Sequence, residues 1–254
     1  MKISTLPFLL ATVLGFITII TRRAVKLGYI QPQNAKNVYY LLGVLGLWTV
    51  VSSILAIKGF YASPRFWALL PGLWFPFVPV SFCLIPFAIS SQFRDSLIKI
   101  LNATPIYWLV YLQGLRIAAL GTLYKTIIGQ FPVHVELIIG ISDLIFGCSA
   151  FYIAKRVRAN TIGWRSLAIW NLVGAGIIII PGEIAIQMGL PGFLQMFNSP
   201  PTAEVMFEFP LVIAPTIIVP LLVLMNGLVA WWLFKTQPVS LRGKKGKIML
   251  RSPI

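Results

Sequence analysis

Residues 133–165 read VHVELIIGISDLIFGCSAFYIAKRVRANTIGWR. The stretch 133–154 is an apolar run long enough for a helix to cross ~30 Å of hydrocarbon, which takes about 20 residues. The composition then turns over at once, and Lys155, Arg156, Arg158 and Arg165 follow within KRVRANTIGWR. A helix on a soluble protein spreads its charge along one face. Here the charge is displaced to the end of the run, as at the cytoplasmic exit of a membrane span.

Six further runs have the same character: 6–21, 38–58, 66–90, 105–128, 166–189 and 210–234. Irregular backbone cannot face lipid, because its polar groups would go unpaired, so all seven runs are expected to be helices. The gaps between them alternate. One set holds Arg22, Arg23, Lys26 and Lys36, then Arg94 and Lys99, then the four charges after 154, then Lys235, Arg242, Lys244, Lys245, Lys247 and Arg251. The other set holds only Lys2, Lys58, Arg65 and Lys125. Basic residues favour the cytoplasmic side. The expected fold is therefore all-α: a polytopic transmembrane helix bundle of seven spans, N-terminus outside and C-terminus cytoplasmic. Residues 1–235 form one domain, and 236–254 are a basic, disordered tail on the cytoplasmic side. The first run is followed immediately by Arg22-Arg23 and lacks a small-residue cleavage site, which favours a retained helix over a signal peptide.

Composition supports this reading. Charged residues are 11% of the chain and hydrophobic residues 58%, with a mean hydropathy of +0.87. A soluble domain carries about 25% charged residues. The net charge of +15 is not a nucleic-acid footprint, because the Lys and Arg flank runs too apolar to form a solvated basic face. The bilayer is the expected partner, with anionic lipid at the cytoplasmic face; any protein partner is left open. Cys83 and Cys148 both fall inside apolar runs and are expected to be small buried hydrophobes rather than a disulfide or a metal site.

Two segments between spans have a character of their own. Residues 91–102 are amphipathic and suit the inner interface. The gap LPGFLQMFNSPPTAEVMFEF, 190–209, is rich in Phe, Met and Pro. A loop this long and apolar is expected to fold over the bundle or re-enter it.

Charge inside a span is costly, so each instance is a functional candidate. Arg116 lies halfway along the fourth span in LQGLRIAALG, and Asp143 near the middle of the fifth in VELIIGISDLIFG. A very short gap makes these two spans antiparallel neighbours, and at 1.5 Å per residue Arg116 is ~18 Å and Asp143 ~14 Å from the turn. They are expected to pair. Glu136, Gly140, Asp143 and Gly147 fall on one stripe of the fifth helix. Glu183 follows Pro181-Gly182 in the sixth span, where the helix should kink, and Asn171 and Asn226 lie toward the inner ends of the sixth and seventh. A ligand or ion pathway is expected along Arg116, Asp143, Asn171 and Glu183, with His134 and Glu136 at its outer mouth.

No cofactor is expected. His134 is the sole histidine, which excludes bis-His haem ligation. A retinal Schiff base needs a lysine within the last span, and 210–234 contains none. No metal is expected, and no catalytic motif of the HExxH, GxSxG or Walker type occurs.

Arg116, Gly140 and Asp143 in GISDLIFG, Trp170-Asn171, and PLVIAPTIIVP at 210–220 together resemble an uncharacterised family of bacterial seven-helix integral membrane proteins. The likeness covers about residues 105–235. It implies a cell inner-membrane protein and no particular activity. The leading functional expectation is a polar intramembrane pocket that binds or passes a small molecule, ion or proton. A structural or assembly subunit of a membrane complex, and a membrane enzyme acting on lipid or quinone, are the alternatives.

Overall fold

Backbone amides that lose water must bond to each other, and an apolar chain does this most locally as helix. The computed structural model describes residues 4–238 and Leu241 and contains, among them, helices and turns with no strand. Seven helices are long and apolar enough to cross a membrane: α1 (Leu6–Lys26), α2 (Pro32–Ile57), α3 (Pro71–Ile89), α5 (Ile106–Ile127), α6 (Val133–Arg158), α7 (Trp164–Met188) and α8 (Ala214–Thr236). Between α3 and α5 lies the shorter α4 (Ser91–Ala103). The chain is thus a multi-pass membrane protein in architecture. Many large apolar side chains face outward, among them Phe8, Leu47, Ile57, Ile89 and Ile180. The centre is α8, of whose most apolar stretch 61% is buried, against 33% or less for every other span.

Several boundaries differ from the sequence expectation, each for a local reason. α1 does not stop at 21 but runs through its basic residues to Lys26. Arg23 donates from Nε to the Ala103 carbonyl at 3.1 Å and stacks over Trp108, so its charge has partners. α2 begins early because Pro32 occupies its first turn, where a missing N–H costs nothing. The third span begins at Pro71 rather than 66. Residues 58–70 instead form a 3₁₀ turn at Phe60–Ala62 and a one-turn helix at Pro64–Trp67, and Leu70 adopts a left-handed φ of 52°.

α4 forms as its amphipathic pattern predicts. Ser90 caps it, accepting from the Phe93 amide at 3.1 Å, and Phe93, Ile100 and Leu101 are buried. Arg94 turns back to donate to the Phe87 and Ala88 carbonyls, both at 2.7 Å, satisfying the C-terminal end of α3.

The 189–213 segment folds across the end of the bundle that also holds the N-terminus. Phe207 enters an aromatic cluster with Tyr61, Phe66 and Phe75, ring centroids 4.8–6.3 Å apart. Tyr61 shares a hydrogen bond of 2.9 Å with Ser52. Burial pushes the Tyr61 hydroxyl above its ordinary range, only partly offset by that bond. The two cysteines are free; Cys83 is half-buried, but Cys148 is exposed on the bundle surface rather than buried as expected, because its helix turns that face outward. Of the basic tail, 239–240 and 242–254 lie outside the described residues, and Leu241 packs into the core at 2% exposure.

Candidate functional site

α5 and α6 run side by side along most of their length. Gly147 permits the closest approach: a Cβ there would lie 2.8 Å from the Ile117 backbone nitrogen. On α5 the helix tightens to 3₁₀ over Gly114–Ala119, and Arg116 sits in this segment. Its Nη1 meets Asp143 Oδ1 at 2.8 Å, with side-chain exposures of 1% and 14%. Arg116 Nε donates to Gln113 Oε1 at 3.2 Å, and the guanidinium lies 4.8 Å over the Phe146 ring. Phe146 is itself stacked on Trp170 of α7 at 4.4 Å. The charge thus has a counter-ion, a side-chain acceptor and a π-face, but its Nη2 has no partner.

Toward the N-terminal end of α6, the helix widens to a π turn over Glu136–Gly140. π turns are rare and concentrate at functional sites. The Glu136 side chain lies over Gly140, where any Cβ would collide with its carboxyl group. That direction leads down the stripe toward Asp143. Glu136 is 2% exposed, yet neither of its carboxylate oxygens has a hydrogen-bond donor. Thr122 faces the same space but gives its hydroxyl proton to the Ala119 carbonyl at 2.8 Å.

Arg116, Glu136 and Asp143 all line one cavity of about 430 Å³ enclosed by α1, α5, α6 and α8. Its deeper walls are apolar, from Leu9, Val135, Ile139, Leu211, Ile218 and Leu222. Its rim carries Ser4, Thr5, Tyr124, Lys125 and Gln130. Lys125 makes an interaction of its own. The volume falls within the range of small-molecule sites, roughly 300–1,000 Å³.

The other sequence candidates lie elsewhere. Asn171 is buried but donates to the Leu167 carbonyl of its own helix at 2.9 Å. His134 is stacked on Phe197 at 4.3 Å and packs against Gly189. It therefore joins α6 to the 189–213 segment, while Glu136 lines the cavity. Glu183 follows a π turn at Ile178–Gly182, so Pro181 widens α7 without breaking it. Its Oε2 is buried without a partner, as are both amide atoms of Gln187, one turn on, and Trp74 Nε1 in α3. Gln187 packs against Gly72, so this second polar cluster lies between α7 and the start of α3, outside the cavity. Asn226, fully buried on α8, also lacks partners and packs with Phe146 against Gly174.

Sequence reasoning missed Gln113, Gln187 and Trp74. An uncharged amide or indole raises no alarm in an apolar run, although Gln187 four residues after Glu183 was a readable signal. Among the described residues no three His, Cys, Asp or Glu side chains gather as metal ligands.

A family model described as a domain of unknown function (DUF8737) matches residues 77–234. No curated protein and no solved structure matches the chain. The matched span holds α5, α6, α7 and α8 with all the charged residues of both clusters, whereas α1, which closes one side of the cavity, lies outside it.

Proposed function

We infer the function of this chain, which belongs to the DUF8737 family, from its site alone: it binds or passes a small molecule, ion or proton through the cavity lined by Arg116, Glu136 and Asp143. One observation carries the reading. The Glu136 carboxylate is 2% exposed, faces a cavity and has no donor. An ionised carboxylate in such a place costs several kcal/mol, and the charge of Arg116 is already matched by Asp143. A proton or a cationic group arriving in the cavity removes that cost. The alternating basic gaps support an N-terminus outside and a cytoplasmic C-terminus; in a cell inner (plasma) membrane with that orientation the cavity opens outward.

The test is thiol accessibility. In a C83S/C148S background, Ala119→Cys on the cavity wall should react with a membrane-impermeant maleimide added outside intact cells. Labelling only after the cytoplasmic side is exposed would reverse the topology, and no labelling from either side would remove the solute-site reading.

A second reading is favoured by the Arg116 surroundings. A guanidinium held by Asp143, Gln113 and Phe146 across a glycine seam is also how a bundle locks two helices for a structural or assembly role. The double replacement Arg116→Leu/Asp143→Leu tests the role of the pair within a binding cavity: it should abolish solute binding if the pair contacts the solute and preserve it if the pair only joins helices. Absence of solute binding in the unmodified chain would favour the structural reading.

A further inference from the structure

The cavity has room for far more than a proton and, among the described residues, lacks the clustered ligands of a metal site. Hard cations take about six oxygen ligands at short range. Glu136 and Asp143 supply the cavity's carboxylate oxygens, one of them held by Arg116, and the remaining lining is mostly hydrocarbon such as Leu9, Val135, Ile139 and Leu222. Among the described residues no three His, Cys, Asp or Glu side chains gather to replace the waters a dehydrated inorganic cation would lose. An inorganic anion fares no better, because the Arg116 charge is matched by Asp143 at 2.8 Å and shielded by the Phe146 face. The cavity does match one kind of molecule in both of its parts. An ammonium group makes charge-assisted hydrogen bonds to a carboxylate, and an attached hydrocarbon body fills apolar space of about 430 Å³.

We propose that the cavity binds amphipathic organic amines, with the ammonium head on the Glu136 carboxylate and the apolar body between α1, α5 and α8. This rests on the cavity being a solute site, as inferred above, and adds its chemical class. The placement of the acid gives the orientation. Glu136 lies on the α6 wall over Gly140, so the head is held there and the body packs against the apolar side chains of Leu9, Ile139, Ile218 and Leu222.

The experiment uses the full chain in detergent, with n-octylamine as probe and n-octanol and n-octanoate as controls. Ligand that binds only the folded state raises the unfolding midpoint. At about one hundred times its Kd, octylamine should raise the midpoint by several degrees, whereas octanol and octanoate should not. Glu136→Gln should weaken the amine at least about tenfold, the value of one charge-assisted hydrogen bond. Should E136Q fold poorly, Ala214→Phe, which fills the cavity from α8 and leaves Glu136 intact, must abolish the shift instead. An equal shift with octanol, or an undiminished one in either folded variant, overturns the proposal. If Ala119→Cys labels from outside while octylamine gives no shift, only the ligand class is wrong; if Ala119→Cys fails to label, the underlying reading falls with it.

Discussion

Two clusters of buried polar groups lie toward the same end of the bundle. One, between α5 and α6, consists of ions: Arg116, Asp143 and Glu136. The other, between α7 and the start of α3, is mostly uncharged: Gln187 and Trp74, with Glu183 at its edge. The first opens on a cavity of about 430 Å³, and the second lies outside that cavity, with Gln187 packed against Gly72. Both leave polar atoms without partners, but the consequences differ. An orphan amide costs about 1–3 kcal/mol, which a packed bundle can absorb. An orphan carboxylate costs more, and only an exchangeable partner relieves it. The difference teaches that burial alone does not mark a site here; burial together with open volume does.

The largest expected effect breaks the first cluster. Arg116→Leu or Asp143→Leu alone should each destabilise the protein by about 3–5 kcal/mol, because each leaves the other as an unpaired buried charge. The double replacement should cost less than either single one. Denaturant titration in micelles measures all three, and additive losses would show that the 2.8 Å contact contributes no coupling.

A second prediction compares close packing with open surface on one helix. Gly174→Ala would drive a methyl group into Phe146 and Asn226, whereas Gly176 has nothing within 4 Å of the corresponding position. Gly174→Ala should lose about 1–3 kcal/mol through overpacking. Gly176→Ala should be neutral or gain up to about 1 kcal/mol, since alanine is the better helix former. Thermal midpoints that ranked the two the other way would mean that α7 is rotated relative to α6.

The smallest effect lies in the second cluster. Gln187→Met replaces an amide lacking partners with an apolar chain of similar length, and should gain about 1 kcal/mol while leaving octylamine binding unchanged. A clear loss of stability would instead reveal an ordered partner for that amide, and would make the two clusters more alike than they look.

How much of this was legible beforehand depends on the range of the physics involved. Transfer of apolar runs out of water is a local property of about 20 residues, so seven spans and the break at each basic gap can be read directly. The Arg116–Asp143 contact was also legible, because a short turn fixes two helices side by side and counting residues fixes depth. The ends of the first and third spans were not legible. Arg23 remains helical only because Ala103 and Trp108, some 80 residues away, accept its charge, and no window around Arg23 contains them. The site was half legible for the same reason. Charged residues stand out in an apolar run, and so Glu136, Asp143 and Glu183 could be named, but a list of polar residues carries no azimuth. Asn171 turned to its own backbone and His134 to Phe197, while Glu183 lies outside the cavity with its Oε2 unpartnered.

Solvation energy and helix geometry act over short stretches of chain, so the helical character, the seven membrane-length spans and the meeting of Arg116 with Asp143 could be read from residue order alone. That Glu136 lines a cavity while Gln187 packs against Gly72 emerges only in the assembled bundle. That distinction depends on how four helices rotate against one another, which is set by side chains remote in sequence and by the glycines that let them close.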